Sequence, residues 1–310
     1  MDSMRMEVRS MRTVDLFAGC GGLSLGFEEQ GFEIVAAFEL WDAAIKCYKA
    51  NFNHPVLKVD LADTQNAVEI IKKYKPAMII GGPPCQDFSH AGKRIEANRA
   101  GLTDSYAEII SAIRPICFVM ENVDRAQKSN AYASARRILK DAGYGLTEIV
   151  LDASKCGAPQ KRKRFICFGM LGKEDGFALD VFVKRQSQNS MTLRDYFGDS
   201  LGFEFYYRHP RNYNRRAVFS IDEPAPTVRG VNRPVPKGYP GHPNDACPVH
   251  SELLVLSTEE RALIQTFPKS FKWIGNKTDV EQMIGNAVPV NLARYVAETV
   301  RLTLEECGNG

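Results

Sequence analysis

The chain lacks the marks of several protein classes. Its eight cysteines form no Cys-x-x-Cys pair and its five histidines show no paired ligand spacing, which argues against a zinc site and a disulfide framework and for free thiols in a reducing compartment. Apolar runs such as Ile116 to Met120 are far shorter than a bilayer span. The opening stretch, Met1 to Arg12, mixes Asp2 and Glu7 with three arginines and has no apolar segment behind it, so it does not read as a secretory signal, and a cytoplasmic protein is expected. There is no internal repeat and no low-complexity tract. With 310 residues, 44% of them hydrophobic and 25% charged, the chain has the composition of a globular protein of about two domains.

The net charge is only +3, but it is unevenly spread. Lys155, Lys161, Arg162, Lys163 and Arg164 fall within ten residues that hold no acid, and between Lys184 and Lys237 ten basic residues face five acidic ones. A charge run alone usually marks a solvated face. Here Tyr206, Tyr207, Tyr213 and Tyr239 are interleaved with the arginines, a mixture suited to phosphates and stacked bases.

Short apolar runs alternate with helical periodicity from Thr13 to about Gly169. Thr13–Phe17, Glu33–Phe38, Ala77–Ile80, Ile116–Met120 and Phe165–Gly169 read as strands. Leu23–Gln30, Asp42–Asn51, Thr64–Tyr74, Ser105–Ile113 and Ala131–Ala142 read as helices, and the alternation predicts an α/β, doubly wound parallel sheet. Eight of the sixteen prolines lie between Pro210 and Pro248, which favours short strands and loops there. Helical pattern returns at Thr258–Thr266 and Val290–Leu304, the latter expected to pack back on the first domain.

Three clusters sit where such a sheet binds ligands, at the carboxyl ends of its strands. Asp15 to Gly26 places a glycine cluster between the first strand and the first helix, and Glu39, twenty residues after Gly19, ends the second strand in position to accept from ribose hydroxyls. A tight turn needs glycine anyway, and this pattern does not separate a dinucleotide from S-adenosylmethionine. Gly81-Gly-Pro-Pro-Cys-Gln-Asp-Phe-Ser89 puts Cys85 on a proline-stiffened loop after the third strand, and Glu121-Asn-Val123 brings a carboxylate to the same edge. Most cysteines are inert buried hydrophobes, but one held over a cofactor cleft reads as a nucleophile. Gln160, Arg162 and Arg164 precede the next strand with alternate side chains on one side.

These motifs resemble those of the DNA (cytosine-5) methyltransferases of bacterial restriction-modification systems, in the family's order and over nearly the whole chain. The resemblance implies a Rossmann-like S-adenosylmethionine-dependent methyltransferase sheet, formed by residues 1–181 and completed by 282–310. It also implies a smaller, strand- and loop-rich target-recognition domain at 182–281. Cys85 is then the nucleophile toward ring carbon 6 of a flipped cytosine, Glu121 the acid at ring N3 and the amino group, and Arg164, supported by Arg162, the partner of the ring carbonyl. The implied cofactor contacts are Phe17, Ala18, Gly19, Cys20, Gly22 and Leu23 from the loop; Glu39, Asp60 and Leu61 toward ribose and adenine, with Leu40 and Trp41 competing for the face of the adenine; Gly82, Pro84 and Leu102; and Asn286, Ala287 and Val288 from the closing motif Gln282 to Pro289. Gln86, Ser89, Arg208, Arg211, Thr227, Arg229 and Arg233 are the expected DNA contacts, with the segment Glu223 to Arg229 as scaffold. S-adenosylhomocysteine is the implied product and no metal is expected. Double-stranded DNA is the expected partner of a nucleoid-associated monomer that makes no stable complex with a cognate endonuclease. A tRNA cytosine-5 methyltransferase is the alternative, although such enzymes typically carry a Cys-Phe-Thr tripeptide that does not occur here.

Overall fold

The computed structural model describes residues 11–84, 101–210, 212, 214–250 and 253–308. Seven strands form the main sheet: β1 (Arg12–Leu16), β2 (Glu33–Glu39), β3 (Val56–Lys58), β4 (Met78–Gly81), β5 (Cys117–Val123), β6 (Tyr144–Asp152) and β8 (Lys163–Leu171). Their order is β3-β2-β1-β4-β5-β8-β6. The pairs from β3 to β5 are parallel, whereas β8 is antiparallel to both β5 and β6. The sheet is therefore not wholly parallel. The ten residues between Asp152 and Lys163 hold only a short 3-10 turn at Ala153–Lys155 and the two-residue strand β7 (Gln160–Lys161). That is too little chain for the helical crossover that a parallel return requires, so β6 and β8 pair as a long hairpin.

The helices before residue 150 are α1 (Gly22–Glu28), α2 (Asp42–Lys49), α3 (Thr64–Lys72), α4 (Leu102–Ile113) and α5 (Asn130–Asp141). Their apolar faces cover the sheet: Ala67, Ile71, Ile109, Ile110, Ala135 and Leu139 pack with Val14, Ile79 and Phe118 in one buried cluster. On the other face Leu23 and Phe27 of α1 meet Leu292, Ala293, Val296 and Val300 of the C-terminal helix, α10 (Val290–Gly308), so that this helix does return to the first. No helix among the described residues is long and apolar enough to cross a membrane.

Between the hairpin and that last helix lie α6 (Leu179–Lys184), α7 (Leu193–Phe197), α8 (Thr258–Ile264) and α9 (Lys277–Asn286). A small sheet orders β10 (Val218–Ser220), β9 (Phe205–Tyr207) and β12 (Leu254–Val255), and β11 (Ala225–Pro226) pairs in parallel with β7. The proline-rich stretch is built of two- and three-residue strands, as its composition requires. Tyr206, Phe219 and Ile284 share one buried cluster with Ala44 and Tyr48 of α2, so the second region is seated on the first through a continuous apolar contact.

Candidate active site

The loop after β1 turns sharply: Phe17 and Gly19 adopt φ of 58° and 56°. A Cβ at Gly19 would meet nothing within 4 Å, which leaves an open cradle beside Glu39. The Glu39 carboxylate is held from three sides, accepting from the amides of Gly19 at 2.8 Å, Leu40 at 2.7 Å and Trp41 at 2.8 Å. Leu40 is half exposed, while Trp41 packs against the apolar cluster that includes Tyr48. Asp60 lies just beyond β3, whose last residue, Lys58, pairs with Glu39 at the end of β2, and it accepts from the amide of Ala62 at 3.0 Å. The side chain of Leu61 is packed in the core, which leaves its backbone as the part available to a ligand. Across the cradle runs the closing segment: a Cβ at Gly22 would stand 2.4 Å from the Val288 carbonyl oxygen, and the Cys20 thiol points at the Met283 carbonyl at 3.9 Å. Asn286 is exposed at the end of α9 and accepts from Gln282 Nε2 at 2.7 Å.

The second cluster is made by strand pairing. Antiparallel registry of β5 with β8 sets Val123 opposite Arg164, and Arg164 Nε reaches Glu121 Oε1 at 2.7 Å. Both side chains are nearly buried. Burial pushes the Glu121 carboxyl above its ordinary range, with the charges of Arg164 and Arg162 opposing. Space at Gly82 is tight: a Cβ would stand 3.2 Å from Glu121 Oε2, so the carboxylate would have to give way slightly. Asn122, buried beside Glu121, donates to the Pro83 carbonyl at 3.0 Å and so ties the Pro-Pro segment to the acid's strand. The chain is described as far as Pro84 and again from Gly101, just before Leu102 opens α4; Cys85, Gln86 and Ser89 lie outside the described residues.

Arg162, expected in support of Arg164 at a substrate carbonyl, has its terminal nitrogens engaged by protein carbonyls, while its charge acts on Glu121 and Arg164. It is 1% exposed, and its terminal nitrogens donate to the carbonyls of Val228 at 3.0 Å, Gly285 at 2.9 Å and Ala287 at 3.1 Å. Alternation along the strand does hold: Gln160 and Arg162 are buried while Lys161 and Lys163 are exposed. The inward side, however, faces protein, and a buried guanidinium persists only where acceptors meet it.

Among the expected DNA contacts, Thr227 donates to the Lys161 carbonyl at 2.9 Å, Arg208 to the Thr227 carbonyl at 2.7 Å and Arg229 to the His209 carbonyl. Residues 225–229 thus run along β7 and bond to it. Arg233 is exposed, and Arg211 lies outside the described residues.

One network escaped the sequence reading. Tyr48 donates to Ser24 Oγ at 2.7 Å and Ser24 to Asp15 Oδ2 at 2.6 Å, while His54 joins Tyr48 at 2.6 Å to Glu28 at 3.1 Å. Asp15 is fully buried, its Oδ1 has no partner, and its pKa is pushed up to about 7. Burial is the main cause; the Glu39 charge adds to it and the Ser24 hydrogen bond opposes it. A glutamate, a histidine and a tyrosine at positions 28, 54 and 48 carry no shared spacing that would have signalled the chain.

The profile of the family described as C-5 cytosine-specific DNA methylase matches residues 11–301. The chain is 58% identical over 294 residues to Type II methyltransferase M.HindV of Haemophilus influenzae, covering 94% of this chain and 96% of that one. It is 53% identical over 297 residues to Type II methyltransferase M.HgiDI of Herpetosiphon aurantiacus, covering 96% of each. In fold it is similar to the S. pombe Dnmt2 methyltransferase, with a TM-score of 0.68 at 18% identity over 96% of this chain and 99% of that one. With the glycine cradle, the paired Glu121 and Arg164, and the closing segment all at one edge of the sheet, the chain belongs to the C-5 cytosine-specific DNA methylases.

Proposed function

We propose that the protein methylates carbon 5 of cytosine in double-stranded DNA, using S-adenosylmethionine, as the modification enzyme of a restriction system. The observation that carries this reading is the buried Glu121–Arg164 pair tied through Asn122 to the loop that leads into Cys85, beside an open glycine cradle. The donor set fits the cofactor: Glu39 and Asp60 offer carboxylates at adjacent strand ends, Leu40 offers an exposed apolar side chain, and Asn286 and the 287–288 backbone close the far side.

S-adenosylmethionine, when bound, supplies an electrophilic methyl group without a metal. The chain's own task is to make carbon 5 nucleophilic. The Cys85 thiolate forms a bond to ring carbon 6, and the displaced electron pair enriches carbon 5. Glu121, whose burial favours its protonated form, holds the proton at ring N3 and accepts from the amino group, while Arg164 faces the ring carbonyl. After carbon 5 has received its methyl group, water removes the proton of that carbon and the sulfur–carbon bond breaks, restoring the thiolate. None of these ring atoms is reachable inside a duplex, so the cytosine is flipped out.

Residues 182–281 serve as the recognition region, with Arg208, Arg211, Arg229 and Arg233 toward DNA and Thr227 bracing them. Residues 1–181 with 282–310 carry the cofactor and the chemistry. The enzyme works as a monomer near the nucleoid, without a stable endonuclease complex. Type II methyltransferase relatives above 50% identity favour DNA over tRNA as the substrate. The test is transfer of tritiated methyl groups from S-adenosylmethionine to duplex DNA and to tRNA transcripts in parallel. Label in tRNA alone overturns the reading.

A further inference from the structure

Arg162 joins two parts of the chain that are remote in sequence. One terminal nitrogen holds the Val228 carbonyl in the recognition scaffold, and the other holds Gly285 and Ala287 in the segment that closes the cofactor cradle. Two buried glutamines repeat the bridge. Gln160 accepts from the Val228 amide at 2.9 Å and donates to Gln265 Oε1 at 2.7 Å, and Gln265 donates to the Ala287 carbonyl at 3.1 Å. The backbones themselves touch: a Cβ at Gly285 would stand 2.1 Å from the Gly230 amide nitrogen, and one at Gly230 would stand 2.3 Å from Gln282 Oε1. Gln282 in turn donates to Asn286. At its other end the closing segment rests on Gly22 through the Val288 carbonyl.

This arrangement responds as a unit. Arg162 has no carboxylate among its hydrogen-bond acceptors, and its Nε has no partner, so its charge is compensated within hydrogen-bond reach by three carbonyls alone. If the 285–287 backbone moves away, a buried guanidinium loses most of its acceptors, a state costly enough that the whole bridge is either made or broken. Resting on the methyltransferase reading above, we propose that Arg162 is the positioning residue that couples cofactor binding to DNA binding. A cofactor held by Asn286 and the 287–288 backbone fixes the Arg162 acceptors, and Arg162 fixes Val228 and hence the 228–230 backbone that presents Arg229. Lysine cannot replace it, because an ammonium lacks the planar fork that reaches both segments.

The experiment uses the full chain and a duplex that the wild type methylates, with affinities measured for S-adenosylhomocysteine alone, duplex alone and each in the presence of the other. In the wild type each ligand is expected to tighten the other at least fivefold and by the same factor, as linkage demands. In Arg162→Lys that factor falls below twofold while both ligands still bind singly. Gln282→Ala, at an exposed position that tolerates truncation, also lowers the factor and decides the matter if the Arg162 variant does not fold. Folded variants that keep the wild-type factor, or a wild type that binds both ligands independently, overturn the proposal. A wild type that binds neither ligand overturns the methyltransferase reading, and this proposal with it.

Discussion

Asp15 offers a test that does not depend on catalysis. Its carboxyl is fully buried at the end of β1, with one oxygen accepting from Ser24 at 2.6 Å and the other unpartnered. Burial first, and the nearby charge of Glu39, raise its pKa from 3.8 to about 7. The neighbouring Tyr48 and Tyr106, both pushed well above their usual range by burial, stay neutral. Because the folded state holds this proton more tightly than the unfolded state does, the resulting stability is fully present below pH 4. It is lost as pH rises through 7 and is constant above that. At 1.36 kcal/mol for each tenfold change in proton affinity, the loss between pH 5 and pH 8 is roughly 2–3 kcal/mol. Asn is neutral throughout and keeps an acceptor for Ser24, so Asp15→Asn removes this dependence. Urea unfolding of both proteins at pH 5, 6, 7 and 8 measures it, since other titrating groups cancel in the difference. The variant should gain about 2–3 kcal/mol relative to wild type across that range, most of it before pH 7. A difference that stays flat with pH would mean that Asp15 is ionised at an ordinary pKa despite its burial, and the reasoning fails.

Glu121→Gln should lower the rate of methyl transfer by about 10²- to 10⁴-fold with little change in S-adenosylhomocysteine affinity, as single-turnover kinetics and calorimetry would record. Cys85→Ser should lose both methyl transfer and covalent trapping by duplexes containing 5-fluorocytosine; trapping that persists points to another thiol. Gly22→Ala sets a methyl group against the Val288 carbonyl and should weaken cofactor binding at least tenfold, at a stability cost of about 1–3 kcal/mol measured by denaturation. Alanine variants of Arg208, Arg211, Arg229 and Arg233, profiled on a randomised duplex library, should include at least one with relaxed site preference and others with uniformly weaker binding. Unchanged preference in all four would move recognition elsewhere.

The glycine loop, Glu39, Glu121 and Arg164 were legible in the sequence because each sits at a strand end, where local pattern alone sets position. Arg162 was not, because its role depends on carbonyls 66 to 125 residues away. Strand β6 was missed since Thr147 and Glu148 interrupt its apolar pattern; Glu148 is retained there by Tyr132 at 2.5 Å and Arg136 at 3.0 Å. The direction of β8 follows from the length of its connection to β6, and the sequence pattern does not reveal that strand. Helix α9 buries Val280, Met283 and Ile284 but also Glu281, which Arg261 neutralises and to which Thr258 donates at 2.6 Å. A buried charge on the inner face blurs the periodicity that marks a helix.

The contact between Gly22 and Val288 also orders events during synthesis. The glycine loop that begins the cradle is synthesised well before the segment at 285–288 that lies across it. Until 285–304 have emerged, Leu23 and Phe27 lack the helix that covers them, and the Arg162 acceptors at Gly285 and Ala287 do not yet exist. Contacts so far apart in sequence favour slow assembly. If 286–288 hold the cofactor as proposed, a nascent chain without them is expected not to bind it, and methylating capacity is expected only once the closing segment has been made. Early termination before it is therefore expected to abolish activity rather than to leave a fraction of it, which a methyl-transfer assay on truncated chains would show.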